Sequence, residues 1–159
     1  MKIDWILDET LPEEILSSMK GAADRSTECE GVTLPCSVSV RLCGDEAIAE
    51  INARYRGIDR STDVLSFPAV SWPAGKTAGS CPGLLRAEYD DESRTCFLGD
   101  IVIAVPHIYA QAAEYGHPPM REACYLLVHG LCHLMGYDHM EEEEKRKMRA
   151  MEEKILSQA

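Results

Sequence analysis

The stretch Phe97-Leu98-Gly99-Asp100-Ile101-Val102-Ile103-Ala104-Val105 is apolar at nearly every position. A strand with one wet face alternates apolar and polar residues. A run without that alternation suits a strand buried on both faces, inside a sheet that other elements cover. The neighbouring segments supply both sheet and cover. Cys36 to Leu42 alternates cleanly, with Val38, Val40 and Leu42 on one side and Ser37, Ser39 and Arg41 on the other. Ile3, Trp5 and Leu7 mark a looser first strand, and Asp63 to Phe67 a short one that Pro68 stops. Thr10 and Glu13 have capping-box spacing around Pro12, and Ile15, Leu16 and Met19 give a helical stripe ending near Gly21. Residues 24–35 are polar and read as turn. Asp45 opens a helix that Gly57 closes, with Ala47, Ile48, Ile51 and Tyr55 at helical spacing. Pro106 opens a helix ending at Gly116. Pro118-Pro119 starts another that runs to about Met135, and Met140 to Ser157 is a last one with Met148, Met151 and Ile155 inward. Residues 69–96, rich in glycine and proline with acids at 90–92, read as a long inserted loop with little to bury, dispensable for folding. The expectation is an α+β fold. It is a single domain over 1–159, with one mixed sheet of about four strands covered by about five helices.

Composition narrows the classes. The chain has 159 residues, 45% hydrophobic and 27% charged, which places it among globular domains rather than disordered or fibrous ones. No apolar run approaches the roughly 20 residues that span a bilayer, so no membrane partner is expected. The segment Met1 to Trp5 lacks the apolar core of a signal peptide. Seven cysteines without a CxxC pair then read as reduced thiols in a cytoplasmic protein. The net charge of -11 opposes general coating of nucleic acid, so any RNA must be held at a local basic site.

Chemistry concentrates in His129-Gly130-Leu131-Cys132-His133-Leu134-Met135-Gly136-Tyr137-Asp138-His139. His129 and His133 stand four apart and share one helix face. Glu122 and Leu126 lie on that face too, opposite Ala123, Cys124, Leu127, Leu131 and Leu134. Gly136 permits the left-handed conformation that ends a helix, so the chain can fold back and bring His139 to the other two. Three neutral imidazoles with an open fourth position form the pattern of a catalytic zinc, one ion per chain. The same spacing occurs in metzincin proteases, where a glutamate follows the first histidine as general base. Gly130 stands there instead, which argues against the alternative of a zinc peptidase or amidohydrolase.

The segment Val128 to His139 resembles the signature of the YbeY family of endoribonucleases and rRNA maturation factors. Asn52 to Pro68 resembles its N-x-x-Y-R…T-[DN]-V-L-S-F-P block, and Leu98-Gly99-Asp100-Ile101 its L-G-D-I block. These matches run in the family's order over about residues 36–145. The resemblance implies a zinc-dependent, single-strand-specific endoribonuclease acting in small-subunit (16S) rRNA 3′-end maturation and ribosome quality control. It implies His129, His133 and His139 as metal ligands and Arg56 as a catalytic residue. Ribosomal RNA, the small ribosomal subunit, ribosomal proteins and assembly GTPases are the partners it implies.

Other residues carry two readings each. Zinc would lower the pKa of bound water to about 7, and either hydroxide or the ribose 2′-OH is the nucleophile. Both routes build charge on phosphoryl oxygens, which a guanidinium meets in bidentate fashion. Arg54, Arg56 and Arg60 are the local cations, and solvated helix-end charge is the plainer account of them. Asp138 either steadies a ligand imidazole or caps the last helix. Cys132 reads as a buried structural thiol, and as a fourth ligand it would instead make the metal structural, in a non-catalytic ribosome-assembly factor. Glu122 reads as a surface or hydrogen-bonding acid. Ser66 and Thr62 offer hydroxyls to phosphate or to a turn.

Overall fold

The computed structural model describes residues 1–157, so the last two residues of the expected 1–159 domain lie outside the described residues. Strands β1 (Lys2–Leu7), β2 (Cys36–Cys43), β3 (Val64–Pro68), β4 (Tyr89–Asp90) and β5 (Thr95–Ala104) form one sheet in the order β1-β2-β5-β3, with β4 also paired to β5. The β1–β2 and β2–β5 pairs are parallel, while β3 and β4 run antiparallel to β5. The sheet is therefore mixed and the class α+β. The apolar run is its interior strand. Leu98, Ile101 and Ile103 join the main core, whereas Val102 and Ala104 face a smaller one with Cys43, Ile48 and Leu65. One strand feeding two cores explains the missing alternation.

Among the described residues six α-helices flank the sheet: α1 (Glu13–Glu30), α2 (Asp45–Arg56), α3 (Pro82–Ala87), α4 (Val105–Tyr115), α5 (Pro119–Leu134) and α6 (Glu142–Leu156). Helices α1, α5 and α6 pack on one another over the main core, and α2 covers part of the opposite face through Ile48. The fifth strand and sixth helix, β4 and α3, both come from 69–96.

Three expectations need correction. Helix α1 does not stop at Gly21. Met19, Ala22, Ala23 and Ser26 continue its buried stripe, and Ser26 Oγ–H donates to the Ala22 carbonyl at 2.9 Å, so its polar group is satisfied inside the helix. The helix ends at Gly31, whose φ of 82° suits glycine. Thr10 and Glu13 form no capping box; Pro12 is the N-cap and no side chain caps the helix. The 69–96 segment does have something to bury. Val70, Ala78 and Leu85 are buried in the main core, with Trp72 and Leu84 packed against it. Trp72 Nε1–H donates to the Leu134 carbonyl at 2.8 Å, and the Ala78 N–H to the Met135 carbonyl at 2.9 Å. The segment thus satisfies carbonyls at the end of α5, which a helix otherwise leaves open.

Candidate metal centre

Helix α5 lies on the sheet with Gly130 against Ile101. A Cβ at 130 would meet Ile101 carbon atoms at 3.0–3.3 Å, so glycine lets helix and strand approach. That contact turns His129 and His133 away from the main core, toward α6 and the chain beyond α5. Gly136 then reverses direction with φ 104°, and a Cβ there would lie 2.7 Å from the Lys76 carbonyl. The reversal delivers His139. One ring nitrogen from each of His129, His133 and His139 lies within 4.8 Å of the others. Ring centroids stand 4.9, 5.7 and 4.8 Å apart for the 129–133, 129–139 and 133–139 pairs.

Two of the rings are held from behind. His129 Nδ1 lies 2.7 Å from the Glu152 carboxylate, which α6 buries to 6% exposure. His133 Nδ1 lies 3.1 Å from the Tyr137 carbonyl, which only accepts, so Nδ1–H is the donor and Nε2 keeps a lone pair. Burial lowers the His133 pKa to about 4, helped by the charges of His129 and His139, so this ring is neutral at pH 7. The Tyr137 hydroxyl in turn donates to Glu30 Oε2 at 2.7 Å, and Glu30 Oε1 accepts from the Gly79 N–H at 2.9 Å. The end of α1 therefore steadies both the exit turn and the packed segment. A neutral His133, two Nδ1 atoms held from behind and three converging ring nitrogens fit a zinc ion.

Cys132 is outside this group. It is buried, and burial pushes its thiol well above the usual range, which disfavours a thiolate ligand. Asp138 neither touches a ligand ring nor caps α6. Its Oδ1 accepts from the His139 N–H at 2.7 Å, and Glu141 occupies the N-cap. Glu122 is not a surface acid. It is 2% exposed and binds Gln111 Nε2 and His117 Nε2, both at 2.7 Å.

A cleft of about 730 Å³ opens beside the histidines, with His133, His139, Trp72, Ser66 and Arg56 in its walls. Gly57, with φ 70°, ends α2 just after Arg56. The Arg56 guanidinium donates to the Ser66 carbonyl at 2.9 Å and lies 5.5 Å from the Phe67 ring centre. Its neighbours point elsewhere. Arg54 pairs with Glu50 at 3.9 Å, and neither Arg54 nor Arg60 lines this cleft. Of the three arginines, only Arg56 is brought to the histidines. Ser66 takes part through its carbonyl, and Thr62 does not line the cleft.

Sequence reasoning missed Glu152, Tyr137 and Glu30. Glu152 had a signal, because it falls on the inward stripe Met148, Met151, Ile155 of α6, and a carboxylate on a buried face needs a partner. Glu30 had none, since its partners are 49 and 107 residues away.

The model of the family described as endoribonuclease YbeY matches residues 6–159. The chain belongs to the YbeY family. Endoribonuclease YbeY of Clostridium kluyveri is 40% identical over 151 residues, covering 92% of each chain. Endoribonuclease YbeY of Clostridium acetobutylicum is 41% identical over 152 residues, covering 93% of this chain and 90% of its own. Among solved structures, TM1509 from Thermotoga maritima has the same fold, with a TM-score of 0.59 at 24% identity, covering 98% of this chain and 90% of its own. Identity near 40% over nine-tenths of the chain carries the likeness well beyond a shared motif.

Proposed function

We propose that this chain is a zinc-dependent, single-strand-specific endoribonuclease that acts in the cytoplasm on small-subunit rRNA 3′-end maturation and ribosome quality control. The observation that carries the reading is the convergence of His129, His133 and His139 on the wall of a cleft that also holds Arg56. Membership of the endoribonuclease YbeY family supports the choice of RNA.

Zinc held by three imidazoles supplies a Lewis acid and a water with a pKa near 7. The chain's own groups do the rest. Glu152 and the Tyr137 carbonyl keep Nδ1 of His129 and His133 engaged, so the opposite nitrogens are presented to the ion. Arg56, fixed by the Ser66 carbonyl, has donors left to hold a phosphate entering the cleft and to offset charge that develops on its oxygens. Attack by water and attack by the ribose 2′-OH place the same demand on that guanidinium. Trp72, anchored to the end of α5, adds an apolar wall to the same cleft.

Two other readings are weaker. A peptidase needs a base at position 130, and that position faces Ile101 in the core. A structural metal needs a fourth protein ligand, and among the described residues the histidine group contains three.

Purified protein analysed for metal and assayed on single-stranded and duplex RNA tests the proposal. The expected result is about one zinc per chain, cleavage of single strands that a chelator abolishes, and loss of both metal and cleavage in the His129→Ala/His133→Ala/His139→Ala variant. Full metal occupancy in that variant overturns the ligand assignment, and chelator-sensitive peptide cleavage overturns the choice of RNA.

A further inference from the structure

The histidine centre opens on two sides. A second cleft of about 250 Å³, without Arg56 in its lining, is walled by His129 and His139 together with Tyr125, Lys145 and Arg149. Lys145 and Arg149 are one turn apart on α6 and project to the same side. Both are exposed, and among the described residues neither has a carboxylate within ion-pair distance. Arg146, which lies between them in sequence, is by contrast held by Glu143. The carboxylate in this cleft, Glu152, is engaged by His129. Tyr125 stacks on His129 with 5.9 Å between ring centres and 29° between planes, and is still 38% exposed.

An aromatic ring beside two uncommitted cations is the chemistry that receives a nucleotide, the base on the ring and the phosphate on the cations. What sets this pair apart is its place, since both cations line the same cleft as Tyr125 and two of the centre's histidines. We propose that Tyr125, Lys145 and Arg149 form a nucleotide subsite, so that one RNA strand crosses the histidine centre between Arg56 and α6. This rests on the endoribonuclease reading. It adds a direction to it: the strand enters along one cleft and leaves along the other, and a duplex cannot follow because its bases are not free to reach Tyr125.

The test is fluorescence anisotropy with a short labelled single-stranded oligouridine, on metal-free and zinc-loaded protein, across a salt series. Each phosphate contact to a single strand contributes about 0.7 to the slope of log affinity against log salt. Lys145→Gln/Arg149→Gln should therefore bind more weakly, with a slope shallower by about 1.4, while zinc content stays at the wild-type level. Tyr125→Leu should bind at least about fivefold more weakly with the slope unchanged, and Tyr125→Phe should restore binding because it keeps the ring. Wild-type affinity and slope in the double variant, alongside weakened binding by Arg56→Gln, overturn the subsite and leave the nuclease reading standing. Wild-type protein that neither binds nor cuts single-stranded RNA overturns both.

Discussion

Arg56 differs from Arg54 and Arg60 in what its guanidinium touches. Anchored on the Ser66 carbonyl and lying near Phe67, it is held at the cleft instead of wandering in solvent. A lysine keeps the charge but loses the planar fork. Arg56→Lys should fold and bind zinc normally yet lose most RNA cleavage, and Arg56→Ala should cost about 100- to 1,000-fold in rate, the loss typical of a transition-state donor. Arg54→Ala should change the rate little; single-turnover assays at saturating protein separate the three. Glu152 acts one step further back. With its carboxylate on His129 Nδ1, Glu152→Ala should weaken zinc binding about 10- to 100-fold, measured by competition with a chromophoric chelator. Glu152→Gln keeps an acceptor and should recover part of that loss.

Among the elements, the exit turn after α5 is the most constrained. Gly136 has φ 104° and no room for a Cβ against the Lys76 carbonyl. Gly136→Ala should displace His139 and reduce zinc affinity more than alanine at an exposed helical site would; thermal melts with and without zinc check this, since the backbone strain should lower both melting temperatures and the zinc-dependent rise should shrink as well. Deleting residues 69–96 should prevent folding, read by loss of the cooperative melt, because Val70, Ala78 and Leu85 are core residues. The four main strands and the ligand helix were legible because their signals are local: Cys36 to Leu42 alternates, Phe97 to Val105 is apolar almost throughout, and His129 and His133 share a face. The His139 reversal was legible from Gly136. The packed 69–96 segment was not. Its buried residues are single and widely spaced, and they find their partners at the end of α5, far away in sequence. The length of α1 was hidden by Gly21 and by polar residues such as Ser26, whose hydroxyl is satisfied by its own helix.

At the scale of the molecule, Cys36 and Cys96 sit opposite one another in the β2–β5 register, both buried. Burial first, then the charge of Cys96, raises the Cys36 thiol from 9.0 to about 12, and burial raises Cys96 too. The folded chain keeps these protons while the unfolded chain releases them. Their stabilising contribution is therefore complete below pH 9 and is lost as pH rises toward 12. Urea midpoints measured under reducing conditions should fall over that range, and less steeply in Cys36→Ala/Cys96→Ala. The strand order β1-β2-β5-β3 carries a different consequence, for a chain being made from its N-terminus. The strand at the middle of the sheet is the last of the four to be synthesised. Until it arrives, β2 shows an open row of backbone donors and acceptors, and β3 has no strand to lie against. A nascent chain halted before Thr95 is thus half a sheet with a sticky edge, a state that only the insertion of one further strand can close.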